Sequence, residues 1–179
     1  MEELEQAYES GLVLDSMIGN WTQPTTRLLA AEAIVRLTEF VCGGTIDQIA
    51  EWSNYDLSDG FSDTDSKAAS FLKAAGISVG VGNNNYNPDG LYTRAEMVTM
   101  LGRMYEKGFL TWGISGSQLG SVTFTDVPEW ADKYIGWAVE AEVTNGMSDD
   151  LFGSDMILEN QQTAIFILRS GIRSGMYSL

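Results

Sequence analysis

Hydrophobic and polar positions between residues 93 and 105 follow a helical period. Thr93 and Glu96 have the spacing of a capping box, in which a hydroxyl and a carboxylate each accept a backbone amide at the helix start. The preceding residues 87–90, Asn-Pro-Asp-Gly, are typical of a turn. The pattern therefore predicts a turn and then a helix that begins after Thr93. Apolar side chains at helical spacing define its buried face: Met97, Val98, Met100, Leu101, Met104 and Tyr105.

The same pattern recurs along the chain. Residues 74–103 align without a gap with residues 140–169, and glycine, aromatic, aspartate and arginine positions coincide. An aromatic residue, a polar residue and an aspartate precede each copy, beginning at Phe61 and Phe124. A partial copy opens the chain, with a shorter loop and Thr26-Arg27 at the predicted helix start.

We therefore expect three tandem helix-loop-helix repeats. One such unit cannot bury its own apolar faces, so the three must pack on each other. The prediction is a mainly α fold, packed as a pseudo-threefold helical bundle. Short helical structure is expected at residues 46–52, and the Gly- and Ser-rich second linker is expected to be exposed. The predicted boundaries are 1–41 (repeat one, partial), 42–60 (linker), 61–106 (repeat two), 107–123 (linker), 124–173 (repeat three) and 174–179 (C-terminal tail).

Several apolar residues of the predicted helices are expected to form a shared core. The candidates come from repeats two and three, where the periodic pattern is clearest. They are Phe71, Leu72, Tyr134, Ile135, Trp137, Ala138, Phe166, Ile167 and Leu168.

Composition and charge exclude several classes of protein. The net charge of −15, with 10 dispersed basic residues, argues against binding to nucleic acid or to anionic membrane surfaces. Cys42 is the lone cysteine and histidine is absent, which excludes an internal disulfide and His-dependent catalysis or zinc binding. No apolar run predicts a membrane span. The acidic start lacks a signal-peptide n-region, so an exported protein would be a mature part of its precursor.

Arg94 is unusual because it stands at the first position of the predicted helix, where the helix dipole disfavours a cation. One explanation is an intramolecular ion pair, which is easy to form in a chain with 25 acidic residues. The other is an anionic ligand, held by the guanidinium together with free backbone amides. Three further arginines near predicted helix ends are assigned structural roles: Arg36, Arg103 and Arg169.

Two segments resemble the signatures of surface-layer homology (SLH) domains. Residues 124–146, FTDVPEWADKYIGWAVEAEVTNG, are similar to the family's opening, with Phe, Asp, a Trp-Ala pair and a helix ending near Gly. Residues 80–96, GVGNNNYNPDGLYTRAE, are similar to its second signature, a Gly-rich loop followed by Thr-Arg-Ala-Glu. Three tandem repeats are the family's usual unit, and here they would span nearly the whole chain.

The resemblance implies a non-catalytic module, without metal or cofactor, that anchors a secreted protein at the bacterial cell surface. Its inter-repeat grooves would bind an anionic, often pyruvylated, secondary cell-wall polysaccharide, and other surface-layer proteins are further candidate partners. Asn160 replaces the signature arginine in repeat three, so that position lacks the equivalent charge. The residues implied in ligand binding are Arg94, Arg27, Gly80, Gly82, Asp126 and Trp130.

Other functions are retained as alternatives. A degenerate SLH-like module could serve protein–protein interaction or surface assembly without binding glycan, since repeat one is partial and repeat three lacks the arginine. The carboxylates around Gly60 (Asp56, Asp59, Asp63 and Asp65) suggest calcium, but their spacing does not match the EF-hand loop and favours solvated side chains. No pair of acids is nominated by its spacing for glycoside hydrolysis.

Overall fold

The computed structural model describes residues 2–112 and 124–175, and this part of the chain is mainly helical, as predicted. A short 3-10 helix, Asp15–Met17, lies in the first loop. The connections between helices pair only through isolated β-bridges, so the described residues contain no sheet. The described residues form seven α-helices: α1 (Glu2–Glu9), α2 (Arg27–Cys42), α3 (Ile46–Ser53), α4 (Lys67–Ala74), α5 (Arg94–Glu106), α6 (Glu129–Glu140) and α7 (Asn160–Arg173).

Helix α5 begins where the sequence predicts. The Thr93 hydroxyl accepts the Glu96 amide, and the Glu96 side chain accepts the Thr93 amide, which completes the capping box. Helix α2 has only half of this cap, because Leu29 stands where a carboxylate would accept the Thr26 amide.

The sequence predicts the structure of the first linker better than that of the second. Helix α3 confirms the short helix expected near residues 46–52. The expectation of an exposed second linker is wrong for its first part, because Phe109, Leu110 and Trp112 are buried. The ring of Phe109 packs edge-on against Phe71, and Trp112 stacks on Tyr105. Residues 113–123 lie outside the described residues.

Helices from different predicted repeats pack against each other in a cyclic order. The second helix of each repeat packs on the first helix of the next: α2 on α4, α5 on α6, and α7 on α1. The last contact joins the two ends of the chain. In addition, α2 contacts α7 directly.

The loops before α2, α5 and α7 form a closed cycle of hydrogen bonds. The amide of Thr25 donates to the carbonyl of Leu158 (2.7 Å), Leu158 donates to Tyr92 (2.9 Å), and Tyr92 donates back to Thr25 (3.0 Å). Together with the helix contacts, this cycle supports a pseudo-threefold arrangement. The axis itself and the repeat boundaries stay predictions.

Most of the expected core residues are buried. Phe71, Leu72, Ile135 and Leu168 are each 0% exposed, and Ala138, Phe166 and Ile167 are also buried. Tyr134 and Trp137 are half-buried and pack against the core from its edge, where their rings form a T-shaped pair. This core holds the inter-repeat surfaces in place.

Candidate functional site

Two grooves of about 250 Å³ each lie between helices of different predicted repeats. The first groove contains Arg27 at the start of α2 and faces the loop before α5. The second groove contains Arg94 at the start of α5 and faces the loop before α7. The residues that define the first groove are Arg27, Gly80, Glu96, Thr99, Arg103 and Trp130. Those that line the second groove are Arg94, Thr144, Asn145, Gly146, Gln162, Ile165, Phe166 and Arg169.

The two grooves are built from equivalent positions of the gap-free alignment. Gly80 corresponds to Gly146, Glu96 to Gln162, and Arg103 to Arg169. The two grooves therefore use equivalent backbone positions, and they differ in the side chains at those positions.

The guanidinium of Arg94 is held by neutral groups. Its Nε donates to the carbonyl of Phe152 (3.0 Å), and its Nη2 donates to the hydroxyl of Thr144 (2.7 Å) and the carbonyl of Asn145 (2.5 Å). The group also lies over the rings of Phe152 and Phe166, 4.7 and 5.3 Å from their centroids. Its Nη1 has no hydrogen-bond partner among the described residues.

The ion-pair explanation for Arg94 is therefore wrong within the described part of the chain, where no carboxylate pairs with it. Burial lowers the pKa of Arg94 from its ordinary value, and the nearby positive charge of Arg169 lowers it further, while Asp126 opposes the change. The guanidinium of Arg94 stays protonated, but it is half-buried and no carboxylate is paired with it. A bound anion would supply that charge.

The backbone amides at the start of α5 are already occupied. The amide of Arg94 donates to the carbonyl of Met156, and that of Ala95 donates to Ser154. The amide of Glu96 donates to the Thr93 hydroxyl. The expectation that free amides would help to hold an anion is therefore wrong, and the side chain of Arg94 alone is available there.

Arg27 occupies the equivalent position in the first groove but has a counter-charge. Its Nε donates to the carbonyl of Tyr86 (2.9 Å), as Arg94 does to Phe152. Its Nη1 forms an ion pair with Glu96 at 3.0 Å, and the residue is only 8% exposed. This pairing was not anticipated from the sequence, because the two residues come from different repeats.

Arg103 and Arg169 also line the grooves, one in each, which the assignment of structural roles did not anticipate. Arg103 donates to the carbonyl of Ile77 (2.7 Å), and Arg169 pairs with Glu3 of α1 at 2.7 Å. The signal available in the sequence was their coincidence in the gap-free alignment of repeats two and three.

Trp130 and Gly80 both lie in the first groove. Trp130 is 52% exposed, so its ring is available to a ligand rather than packed in the core. Gly80 has φ of +72°, and a Cβ at this position would collide with the carbonyl of Asn85. Gly80 therefore shapes the wall of the groove, because it adopts a left-handed backbone conformation that is unfavourable for residues with a Cβ.

Asp126 and Gly82, also implied by the resemblance, do not line either groove. The carboxylate of Asp126 accepts the amides of Phe152 (2.7 Å), Gly153 (2.7 Å) and Ser154 (2.9 Å). Desolvation raises the pKa of Asp126, but these amides together lower it more, so it lies below the ordinary value. Asp126 thus holds the loop whose Phe152 carbonyl accepts a hydrogen bond from Arg94.

The loop before α5 is held in the same way by Asp63, whose carboxylate accepts the amides of Tyr86 (2.7 Å) and Asn87 (2.8 Å). This contact explains one member of the acidic cluster that suggested calcium. In the described ranges, no group of three or more Asp, Glu, Cys or His residues could hold a metal ion. Nor does any helix there have the length and apolar character needed to cross a membrane.

Asn160 stands at the third equivalent position, where its side chain forms hydrogen bonds within the protein. Its Oδ1 accepts the hydroxyl of Thr25 (3.0 Å), and its Nδ2 donates to the carbonyl of Asn20 (2.9 Å). The residue is 3% exposed. The third position is therefore closed by neutral hydrogen bonds and has no arginine, as the sequence indicated.

The described helices pack in a cyclic order, with grooves between helices of different predicted repeats. A family model described as the S-layer homology domain matches residues 58–98 and 123–155, within or close to predicted repeats two and three. The chain therefore carries two segments in tandem that match the S-layer homology domain. Such domains are non-catalytic modules that anchor proteins at the cell wall or surface. No curated protein matches the chain.

Proposed function

We propose that this module anchors a secreted protein non-covalently by binding an anionic secondary cell-wall polysaccharide, for example one with pyruvylated sugars. Arg94 is the principal contact in the second groove. Arg27, Gly80 and Trp130 serve the first groove. Gly82 and Asp126 support the loops rather than touch the ligand.

The positively charged lining of the second groove is the observation that carries this proposal. Of the described residues that line it, none is acidic and two are arginines, although the chain has a net charge of −15. Glu3 balances Arg169 from outside the groove, which leaves Arg94 as an uncompensated cation. A desolvated guanidinium with unused donors suits a carboxylate oxygen, since hydrogen bonds to charged groups are roughly twice as strong as neutral ones.

The other walls of the second groove fit a sugar. The half-buried Gln162 offers a polar group beside the half-buried apolar side chain of Ile165. A pyranose ring presents the same mixture of hydroxyl groups and apolar C–H faces. Gly146 lets the ring of Phe124 pack closely against the backbone of this wall, because a Cβ there would collide with that ring.

A second candidate function is a protein-interaction module that no longer binds glycan. The neutralised Arg27 and the closed position at Asn160 favour it, because only one of three equivalent positions retains an uncompensated arginine. Other surface-layer proteins would then be the partners.

Sedimentation with purified cell-wall sacculi tests the proposal. We expect the protein to pellet with native sacculi and to stay in the supernatant with sacculi from which acid has extracted the secondary polymer. Equal pelleting with both preparations would indicate a peptidoglycan ligand and contradict the proposal. Failure to pellet with either would favour the interaction module.

A further inference from the structure

One dipeptide in the wall of the second groove has a sequence that favours spontaneous deamidation. Asn145 is followed by Gly146, which is the only Asn-Gly pair in the chain. The amide nitrogen of a glycine can attack the side-chain carbonyl carbon of a preceding asparagine, because glycine has no Cβ to hinder the approach. The side chain of Asn145 is exposed. Neither this side chain nor the amide of Gly146 has a hydrogen-bond partner among the described residues, so both reacting groups are free.

Packing explains the glycine of this pair but not the asparagine. A Cβ at Gly146 would collide with the ring of Phe124 and the carbonyl of Ser148. The equivalent pair in the first groove is Val79-Gly80. A residue other than asparagine can therefore precede the glycine in this kind of loop, and the reactive side chain belongs to the second groove alone.

The guanidinium of Arg94 contacts the peptide group that would react. Its Nη2 donates to the carbonyl oxygen of Asn145 at 2.5 Å. This oxygen and the amide nitrogen of Gly146 belong to the same peptide group. When that nitrogen loses its proton and becomes the nucleophile, resonance places much of the negative charge on the oxygen. A hydrogen-bonded cation stabilises this anion, as the donors of an oxyanion hole stabilise a developing charge.

The reaction requires only water and involves no oxidation or reduction. The amide nitrogen of Gly146 gives its proton to hydroxide and forms a bond to Cγ of Asn145. The bond between Cγ and Nδ2 breaks, and Nδ2 takes up a proton and leaves as ammonia. Water then opens the resulting succinimide ring at either carbonyl. Opening at Cγ gives aspartate, and opening at the former backbone carbonyl gives isoaspartate, in which the chain continues through Cγ.

Isoaspartate changes the charge next to Arg94. Its free carboxylate contains the former backbone oxygen of Asn145, which is the oxygen that accepts a hydrogen bond from Arg94. The neutral acceptor thus becomes a negatively charged one. Arg94 then has a counter-charge within the protein, as a paired arginine does.

We propose that Asn145-Gly146 is a spontaneous deamidation site promoted by Arg94, and that its isoaspartate product neutralises Arg94 and weakens anion binding in the second groove. The deamidation site stands on the contacts of the pair, whereas the loss of anion binding rests on the proposed function. The second groove therefore loses affinity as the protein molecule ages. The first groove, which has Val79 at the equivalent position, does not.

The rate of deamidation is measured on purified protein incubated in mildly alkaline buffer. Cleavage after glutamate releases residues 143–159, and mass spectrometry with fragmentation distinguishes asparagine, aspartate and isoaspartate at position 145. Wild type is compared with Arg94→Ala and Arg94→Lys, each folded and in denaturant, and circular dichroism confirms the fold of each variant. Asn145→Val, which copies the first groove, is the control that cannot react.

We expect folded wild type to deamidate roughly tenfold faster than folded Arg94→Ala, because one charge-assisted hydrogen bond to the anion is lost. Arg94→Lys reacts at an intermediate rate. All three react at equal rates in denaturant, where residue 94 no longer contacts the loop. In calorimetry with isolated anionic wall polymer, wild type rich in isoaspartate binds roughly tenfold more weakly than fresh wild type. Asn145→Val keeps its starting affinity over the same incubation.

The outcomes separate this inference from the proposed function. An equal or faster rate in folded Arg94→Ala would overturn the role of Arg94, and a folded wild type that reacts more slowly than the unfolded chain would show that the fold protects the pair. Unchanged affinity of the isoaspartate form would contradict the neutralisation of Arg94 and leave the proposed function standing. If fresh protein does not bind the polymer, the proposed function fails, while Arg94-dependent deamidation still supports the modification site.

Discussion

Arg27 and Arg94 occupy equivalent positions but have opposite electrostatic surroundings. Both donate through Nε to an aromatic residue's carbonyl, Tyr86 or Phe152, and both lie over that residue's ring. Only Arg27 meets a carboxylate. The sequence identifies both arginines, because both follow a cap threonine. It cannot give their pairing, because Glu96 reaches Arg27 only after two repeats have packed together.

Asp126 provides a pH-dependent test at the scale of one residue. Because its folded-state pKa lies below the ordinary value of 3.8, the carboxylate stabilises the fold above that pH, and this stability is lost as the pH falls through the lower folded pKa. We expect the free energy of unfolding to decrease between roughly pH 5 and pH 2. Asp126→Asn should reduce that decrease.

The measurement for Asp126 is a series of denaturant midpoints across this pH range for wild type and Asp126→Asn. Asp149→Asn is the matched control, since Asp149 is an exposed acid whose removal changes the net charge equally. An identical pH dependence in wild type and Asp126→Asn would show that the loop contact contributes no stability.

At the scale of elements, the sequence predicted those helix positions that depend on interactions between neighbouring residues. The capping box fixed the start of α5, and Thr45 with Gln48 marks α3 in the same way. The buried segment after α5 was missed, because Gly and Ser in the linker indicate exposure. Phe109 packs against the distant ring of Phe71, and Trp112 folds back on Tyr105 of α5. Those contacts depend on tertiary structure, which periodicity along the chain does not contain.

The cap of α5 is testable by Thr93→Ala. The Thr93 hydroxyl accepts the Glu96 amide at 3.2 Å, and its loss leaves that amide without its partner. We expect a loss of about 0.5–2 kcal/mol in the free energy of unfolding, measured by chemical denaturation. Thr22→Ala, at an exposed loop position, serves as the control. Equal midpoints for the two variants would show that the cap does not stabilise α5.

The turn after α6 contains a residue in an unfavourable conformation. Glu142 has φ of +55°, whereas the equivalent residue after α4 is Gly76 with φ of +67°. We expect Glu142→Gly to raise the free energy of unfolding by about 1 kcal/mol, since a left-handed conformation costs side-chain-bearing residues that much. Its exposed ion pair with Arg173 contributes little in comparison.

Gly76→Ala is the reciprocal variant. A Cβ at Gly76 would meet only the end of the Lys107 side chain at 3.7 Å, so any loss reports backbone strain rather than a collision. Thermal or chemical denaturation of both variants provides the measurement. A stabilised Gly76→Ala, or a destabilised Glu142→Gly, would contradict the strain explanation.

At the scale of the whole molecule, the repeats form grooves only in combination. The arginine of each groove comes from one repeat and the facing loop from the next, so neither repeat contains a complete groove. The sequence pattern predicted the mainly helical fold and the position of Arg94. It did not predict that the first amides of α5 would donate to carbonyls of the loop before α7. Nor did it predict that Arg103 and Arg169 would line the grooves.

The proposed binding of an anionic polymer by the unpaired guanidinium of Arg94 is tested most directly by calorimetry with isolated anionic wall polymer. We expect Arg94→Ala to fold normally and to weaken binding by about 1.5–3 kcal/mol, roughly tenfold to over a hundredfold. Arg94→Lys should recover only part of the loss, because lysine lacks the planar fork of donors. Arg173→Ala removes an exposed cation outside both grooves and should bind like wild type. Undiminished binding by folded Arg94→Ala would contradict the account.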